Sequence, residues 1–211
     1  KRLPGWKQGQ VICALNVICD ASSLQQVTPF LETETPEVLR RLYRASWTRP
    51  YGRPRWVKLD QSRNNLSDHF IMALERDGTE VIDIAGQAHE QNGKVEVHGR
   101  FFEDILRKVM AETQPQSWEQ WSECVDSALE AKNSLLRRNG HSPFQIALGR
   151  NPEMPGDLMA EPPDIIGNSA ILHDDIAAYA NRVRLAAQQA VLTYSTGQAI
   201  RLATDARPRP L

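Results

Sequence analysis

The stretch Tyr51-Gly52-Arg53-Pro54-Arg55-Trp56-Val57-Lys58-Leu59-Asp60 decides the fold. Gly52 and Pro54 break the chain, and residues 56–59 read as a short buried strand that ends on an acid. In α/β folds the carboxyl edge of the sheet is a common place for a site, so Asp60 is the first candidate functional residue. Thirty-five residues lie between Asp60 and Glu96. They hold a helix opening at Ser67-Asp68 and stopped by Asp77-Gly78, a strand over 79–85, and a loop ending at Asn92-Gly93. That is enough chain to return the start of the next helix to the end of the Asp60 strand. In that helix Val95, Phe102, Ile105, Leu106, Val109 and Met110 share one apolar stripe, and Glu96 sits in the first turn beside it.

Upstream, residues 10–20 are apolar and β-branched enough for a buried strand, and residues 24–31 for a second, with a hairpin turn near Ala21-Ser22-Ser23. Thr35-Pro36-Glu37 is a helix start with N-cap, proline and acid in order; that helix runs to about Trp47. Downstream, Ser117 and Gln120 form a capping box. Trp118, Trp121, Val125, Ala128, Leu129, Leu135 and Leu136 follow at helical spacing, and Ser142-Pro143-Phe144-Gln145 starts a short helical turn. Four prolines (Pro152, Pro155, Pro162, Pro163) mark a linker. Beyond it Ile176, Tyr179, Val183, Ala187, Ala190 and Tyr194 outline a last, partly exposed helix. The pattern predicts a mixed α/β sheet flanked by helices, with a strand lacking at the front and a C-terminal helical extension. The expected division is a core over 1–150, a linker over 151–168 and the extension over 169–211.

A chain of 211 residues with 41% hydrophobic residues and five tryptophans can bury one well-formed core. The longest apolar stretch, 11–19, is interrupted by Asn16 and too short to span a bilayer, so no membrane role is expected. Lys1 in place of Met marks a fragment or processed product. Cys13, Cys19 and Cys124 have no C-x-x-C spacing and an odd count, which points to a reducing, intracellular compartment (nucleus or cytoplasm) and away from a structural zinc site. Net charge is −1, yet Arg40, Arg41, Arg44, Arg49, Arg53, Arg55, Lys58 and Arg63 form a run in which Asp60 is the sole acid. Such a run is either a solvated face or a local phosphate-attracting patch.

Two or three carboxylates on different elements are what metal-assisted phosphoryl transfer needs, because hard divalent cations take oxygen ligands and work in pairs about 3.5–4 Å apart. Read alone, a strand-terminal Asp60 equally caps a turn, and a helix-start Glu96 equally complements the helix dipole.

The words around them are more specific. Tyr51-Gly52-Arg53-Pro54, Trp56-Val57-Lys58-Leu59-Asp60, Asn92-Gly93-Lys94-Val95-Glu96, Asn133, Gly140-His141-Ser142-Pro143-Phe144 and Gly149-Arg150-Asn151-Pro152 follow in an order that resembles the integrase core of long-terminal-repeat retrotransposons, copia-like in detail. The resemblance covers roughly residues 10–152. It implies an RNase H-like fold and a D,D-35-E triad in which Asp60 is the second acid and Glu96 the third, binding Mg2+ or Mn2+ as a two-metal site. It also implies that Gln87, His89, Gln91, Asn92, Lys94 and Arg63 lie near bound DNA, His89 more as a phosphate or solvent contact than as a general base. The implied activity is trimming of element DNA ends and joining of their 3′ hydroxyls to target DNA, by a homo-oligomer. The triad's first Asp is expected just upstream of Lys1, with Asp20 belonging to the hairpin step Asp20-Ala21-Ser22-Ser23.

After Asp60 the family reads D-x-G-x-E-F-x-S, whereas this chain has Asp60-Gln61-Ser62-Arg63-Asn64-Asn65-Leu66-Ser67. Ser62 replaces a glycine, Asn64 removes a carboxylate, Asn65 replaces an aromatic ring, and Val97 replaces the basic residue common after the Glu. These departures open an alternative: a catalytically degenerate RNase H-like remnant that binds nucleic acid or protein. A third reading, a different RNase H-like nuclease, fits the tail around Ser142-Pro143-Phe144 less well.

Overall fold

The computed structural model describes residues 1–59, 68–82, 89–136, 140–152 and 175–205. The chain divides into two compact units, one of residues 1–21 and 25–103, the other of residues 22–24 and 104–211.

The first unit begins with three antiparallel strands in spatial order β1 (Arg2–Pro4), β2 (Val11–Ile18), β3 (Gln25–Phe30). The register pairs Cys13 with Phe30 and Ile18 with Gln25, so the hairpin falls where the sequence put it. Ser23 takes a left-handed φ of 62°, and Ser22 Oγ accepts from the Leu24 amide at 3.2 Å, which closes the turn locally. Among the described residues β3 pairs on one side only, the kind of strand in which a proline such as Pro29 is tolerated. β1 is a strand that the sequence pattern did not assign: three residues are too few to show a period.

Helix α1 (Pro36–Tyr43) starts as expected, Thr35 Oγ1 accepting from the Val38 amide at 3.3 Å. Its continuation is not α-helical: residues Arg44–Thr48 wind as a π-helix before a final turn, Arg49–Tyr51. That insertion keeps Trp47 buried with Tyr51 tilted against it at 5.1 Å. Strands β4 (Trp56–Lys58) and β5 (Glu80–Ile82) pair in parallel through helix α2 (Asp68–Arg76). At the end of α2 the Gly78 amide bonds Glu75 O (2.8 Å) and the Thr79 amide bonds Leu74 O (3.0 Å), with Gly78 at φ 82°. This is the double bond of a Schellman stop, and it explains why Asp77-Gly78 ends the helix. Phe30, Leu39, Tyr43, Trp47, Leu59, Phe70 and Leu74 form one core cluster of the unit. The β4 strand is less buried than its sequence implies: Trp56 is 51% exposed and Lys58 is exposed, because among the described residues β4 pairs on one side only.

Helix α3 (His89–Thr113) gives its residues through Glu103 to this unit and the rest to the second. The second unit adds α4 (Trp118–Leu135), α5 (Pro143–Leu148) and α6 (Asp175–Asp205). Trp121, Val125, Ala128 and Leu129 on α4 are buried as their spacing predicted, whereas Trp118, Leu135 and Leu136 of the same expected stripe are only half-buried; α6 packs on α4, and its Val183, Ala186, Ala187, Ala190 and Val191 are buried. Small residues at this seam let the two helix backbones approach closely. The α4 cap is only half of the expected box. Ser117 Oγ accepts from the Gln120 amide (3.3 Å), but Gln120 Oε1 accepts from the Gln116 amide (2.8 Å) rather than from Ser117. Cys124 Sγ lies 3.4 Å from Thr113 Oγ1 and 3.8 Å from Tyr179 Oη, and burial pushes the thiol up and away from reactivity. All three cysteines are free thiols. No helix among the described residues is long and apolar enough to cross a membrane.

Candidate active site

Strand β4 leads to Leu59, which is buried in the core. That next residue, Asp60, lies outside the described residues, as do Arg63 and Gln87. Glu96 is described. It stands on α3 with its side chain exposed.

The helix that bears Glu96 begins earlier than its sequence suggested. Residues expected in a loop (His89, Gln91, Asn92 and Gly93) are helical, although the side chains of His89, Gln91 and Asn92 lie outside the description. Asn and Gly each cost a helix up to about 1 kcal/mol relative to Ala, but a helix of 25 residues gains enough from propagation and packing to run through them. Glu96 consequently stands two turns inside α3 and not in its first turn. Val95 departs as well: it is 37% exposed, whereas Phe101, Phe102, Ile105, Leu106 and Val109 carry the buried stripe. Among the described side chains of these turns, Val95, Glu96 and Val97 are exposed.

Three charged side chains meet beside these turns. Lys94 Nζ donates to the main-chain oxygen of Asp20 and lies 3.5 Å from Asp20 Oδ1, and Lys58 Nζ lies 3.8 Å from Asp20 Oδ2. Asp20, just past β2, thus draws together the end of β4 and the segment of α3 that carries Glu96. Sequence reasoning named Lys94 and counted Lys58 within the basic run, but assigned Asp20 only to the hairpin. The convergence depends on tertiary folding and has no local signal.

The basic run is an exposed face: Arg40, Arg41, Arg44, Arg49, Arg53, Arg55 and Lys58 are all solvent-facing. Arg41 pairs with Glu32, and Arg55 lies 4.6 Å above the Trp56 ring, whose Nε1 donates to Glu80 at 2.9 Å. Among the described residues no group of three or more His, Cys, Asp or Glu side chains is placed to hold a metal ion. The donor type at Glu96 is nonetheless a carboxylate oxygen, the kind that hard divalent cations take.

No family model and no curated protein sequence matches the chain. Solved structures do. The HTLV-2 integrase catalytic core domain in complex with magnesium, in its dimeric form, superposes with a TM-score of 0.57 at 16% identity, over 70% of this chain and 90% of that one. Its trimeric form gives 0.57 at 16% identity, over 70% and 92%. The simian T-cell lymphotropic virus intasome, in complex with a PP2A regulatory subunit, gives 0.61 at 16% identity, over 77% of this chain and 57% of that one. The chain has the fold of a retroviral integrase catalytic core. It is the mixed α/β architecture that the sequence pattern predicted and the RNase H-like fold that the resemblance implied, with a helical C-terminal part.

Proposed function

We propose that the chain is the catalytic core of a retrotransposon-type integrase, which trims the 3′ ends of element DNA and joins them to target DNA. The observation that carries this reading is Glu96: an exposed carboxylate on the early turns of α3 in a chain with the integrase-core fold, separated by thirty-five residues from the Asp60 that follows β4. Asp60 and Glu96, with a further acid from outside this sequence, would hold Mg2+ or Mn2+. A pair of such cations, held by these carboxylates, would supply the charge that activates an attacking oxygen and stabilises a leaving one. The protein's part is to hold the two carboxylates on separate elements and to keep them accessible to a phosphodiester. The exposed arginines from Arg40 to Arg55 supply a phosphate-attracting field. Gln87, His89, Gln91, Asn92, Lys94 and Arg63 are proposed to contact DNA near the acids. The integrase-core neighbours described as dimeric and trimeric favour a homo-oligomer here too.

The test is strand transfer with Mg2+ or Mn2+ by a chain extended upstream of Lys1. Activity abolished by Glu96→Gln supports the proposal; activity unaffected by that change overturns it.

The altered turn after Asp60 (Ser62, Asn64, Asn65) favours one alternative, a non-catalytic scaffold that binds nucleic acid or protein. Calorimetry separates the two: Mn2+ binding that disappears in Asp60→Asn counts against the alternative.

A further inference from the structure

The three-residue contact at Asp20 carries an inference that rests on the DNA-binding part of the proposed function. We propose that Lys58 and Lys94 form a phosphodiester-binding site which the Asp20 carboxylate occupies in the free protein and yields to nucleic acid. Each carboxylate oxygen faces a different ammonium, Oδ1 toward Lys94 at 3.5 Å and Oδ2 toward Lys58 at 3.8 Å. Two oxygens of one anion shared between two cations is also how the two non-bridging oxygens of a phosphodiester are held. The carboxylate is the outermost of the three groups: Asp20 is 79% exposed, against 40% for Lys58 and 23% for Lys94. An incoming phosphate therefore meets the carboxylate first and replaces it without any movement of the core. Ion pairs this exposed are weak, so they are readily exchanged for a polyanion. Both lysines stand two residues before a candidate acid, Lys58 before Asp60 and Lys94 before Glu96, so a phosphate held there lies along the strand and helix that carry the acids.

Lys94 is also anchored independently of the carboxylate, because its ammonium donates to the Asp20 main-chain oxygen. Asp20→Asn keeps that anchor and removes only the competing charge. The experiment measures binding of a short labelled DNA duplex by fluorescence anisotropy across a salt series. The full chain, Asp20→Asn, and Asp20→Asn combined with Lys58→Gln and Lys94→Gln are compared, with circular dichroism to verify folding. Asp20→Asn is expected to tighten binding about two- to fivefold. It should also steepen the dependence of log K on log salt by about one to two, and the two lysine substitutions should reverse both effects. Inorganic pyrophosphate, titrated calorimetrically into the same three proteins, is expected to rank them identically.

If the unmodified chain binds duplex and Asp20→Asn changes neither affinity nor salt slope, the site is refuted while the integrase reading stands. If no protein binds duplex but Asp20→Asn binds pyrophosphate more tightly through its lysines, the anion site holds and the DNA reading falls. Equal pyrophosphate binding by all three proteins, without duplex binding, overturns both.

Discussion

Ser142 Oγ donates a hydrogen bond to the side-chain oxygen of Asn151, nine residues farther along, and so joins the two ends of the short helix α5. The same hydroxyl accepts from the Gln145 amide at 3.1 Å, and Gln145 Oε1 accepts from the Ser142 amide at 2.9 Å, which completes a capping box. Ser142 is fully buried, and Gly149 closes the helix in the left-handed conformation at φ 77°. The words Gly140-His141-Ser142-Pro143-Phe144 and Gly149-Arg150-Asn151-Pro152 are therefore one structural device: cap, helix, stop and tie.

Replacing Ser142 by Ala removes the cap and leaves Asn151 without this partner, a loss of about 1–2 kcal/mol. Asn151→Ala should cost less, since the capping box survives it. Because both changes remove the same tie, the double variant is expected to fall short of the sum of the singles. Urea unfolding of the four proteins measures this, and strict additivity would show that the tie is worth nothing.

The seam between α4 and α6 makes a different prediction. Ala187 is fully buried on α6, and Trp121, Val125 and Ala128 are fully buried on α4. Ala187→Leu adds three carbons to a closed seam and should destabilise by about 1–3 kcal/mol through overpacking. A thermal midpoint equal to that of the parent chain would mean that α6 does not pack there.

How much of this was legible in the sequence follows from range. The Thr35 cap, the Gly78 stop, the β2–β3 hairpin and the apolar stripes of α4 and α6 are set by residues within a turn or two of one another, and all were readable. The start of α3 was not: Asn92-Gly93 reads locally as a break, and only the packing of the 25-residue helix overrides it. The π-helical turn at Arg44–Thr48 and the three-residue β1 carry no periodic signature. At the candidate site, Glu96 and Lys94 were visible as residues, but the gathering of Lys58 and Lys94 on Asp20 depends on contacts across 74 positions for Lys94, which no local pattern encodes.

Tyr43 gives the fold a pH limit. Its ring packs edge-on against Phe70 at 6.3 Å, and its hydroxyl is buried without a hydrogen-bond partner among the described residues. Burial pushes its pKa from 10.0 up to about 12. A folded-state value above the unfolded one means this group's contribution to stability is complete below pH 10 and disappears as pH rises through about 12. Tyr43→Phe should leave neutral-pH stability unchanged or raised by up to about 1 kcal/mol, since it removes an unpaired buried hydroxyl. It should also flatten the alkaline decline. Denaturant midpoints at pH 7 and across pH 10–12 test both arms, and an undiminished decline in the Phe variant would place its cause elsewhere.

On the proposed integrase reading, a substitution at Glu96 should affect catalysis without affecting folding. Its side chain is exposed on α3, and a surface substitution without buried partners changes stability by no more than about 0.5 kcal/mol. Glu96→Gln keeps the shape and removes the charge that a divalent cation needs. The expected outcome is an unchanged thermal midpoint in metal-free buffer, loss of the stabilisation that Mn2+ confers on the upstream-extended chain, and loss of strand transfer. Saturating Mn2+ at a hundred times its Kd raises stability by about 2.7 kcal/mol, an ample signal for calorimetry. Glu96→Asp provides the contrasting case: it keeps the charge on a shorter arm, so metal stabilisation should persist in part while strand transfer, which depends on the exact reach of the carboxylate, falls further. Equal Mn2+ stabilisation of the parent chain and Glu96→Gln would remove Glu96 from the metal site, whatever the fold around it.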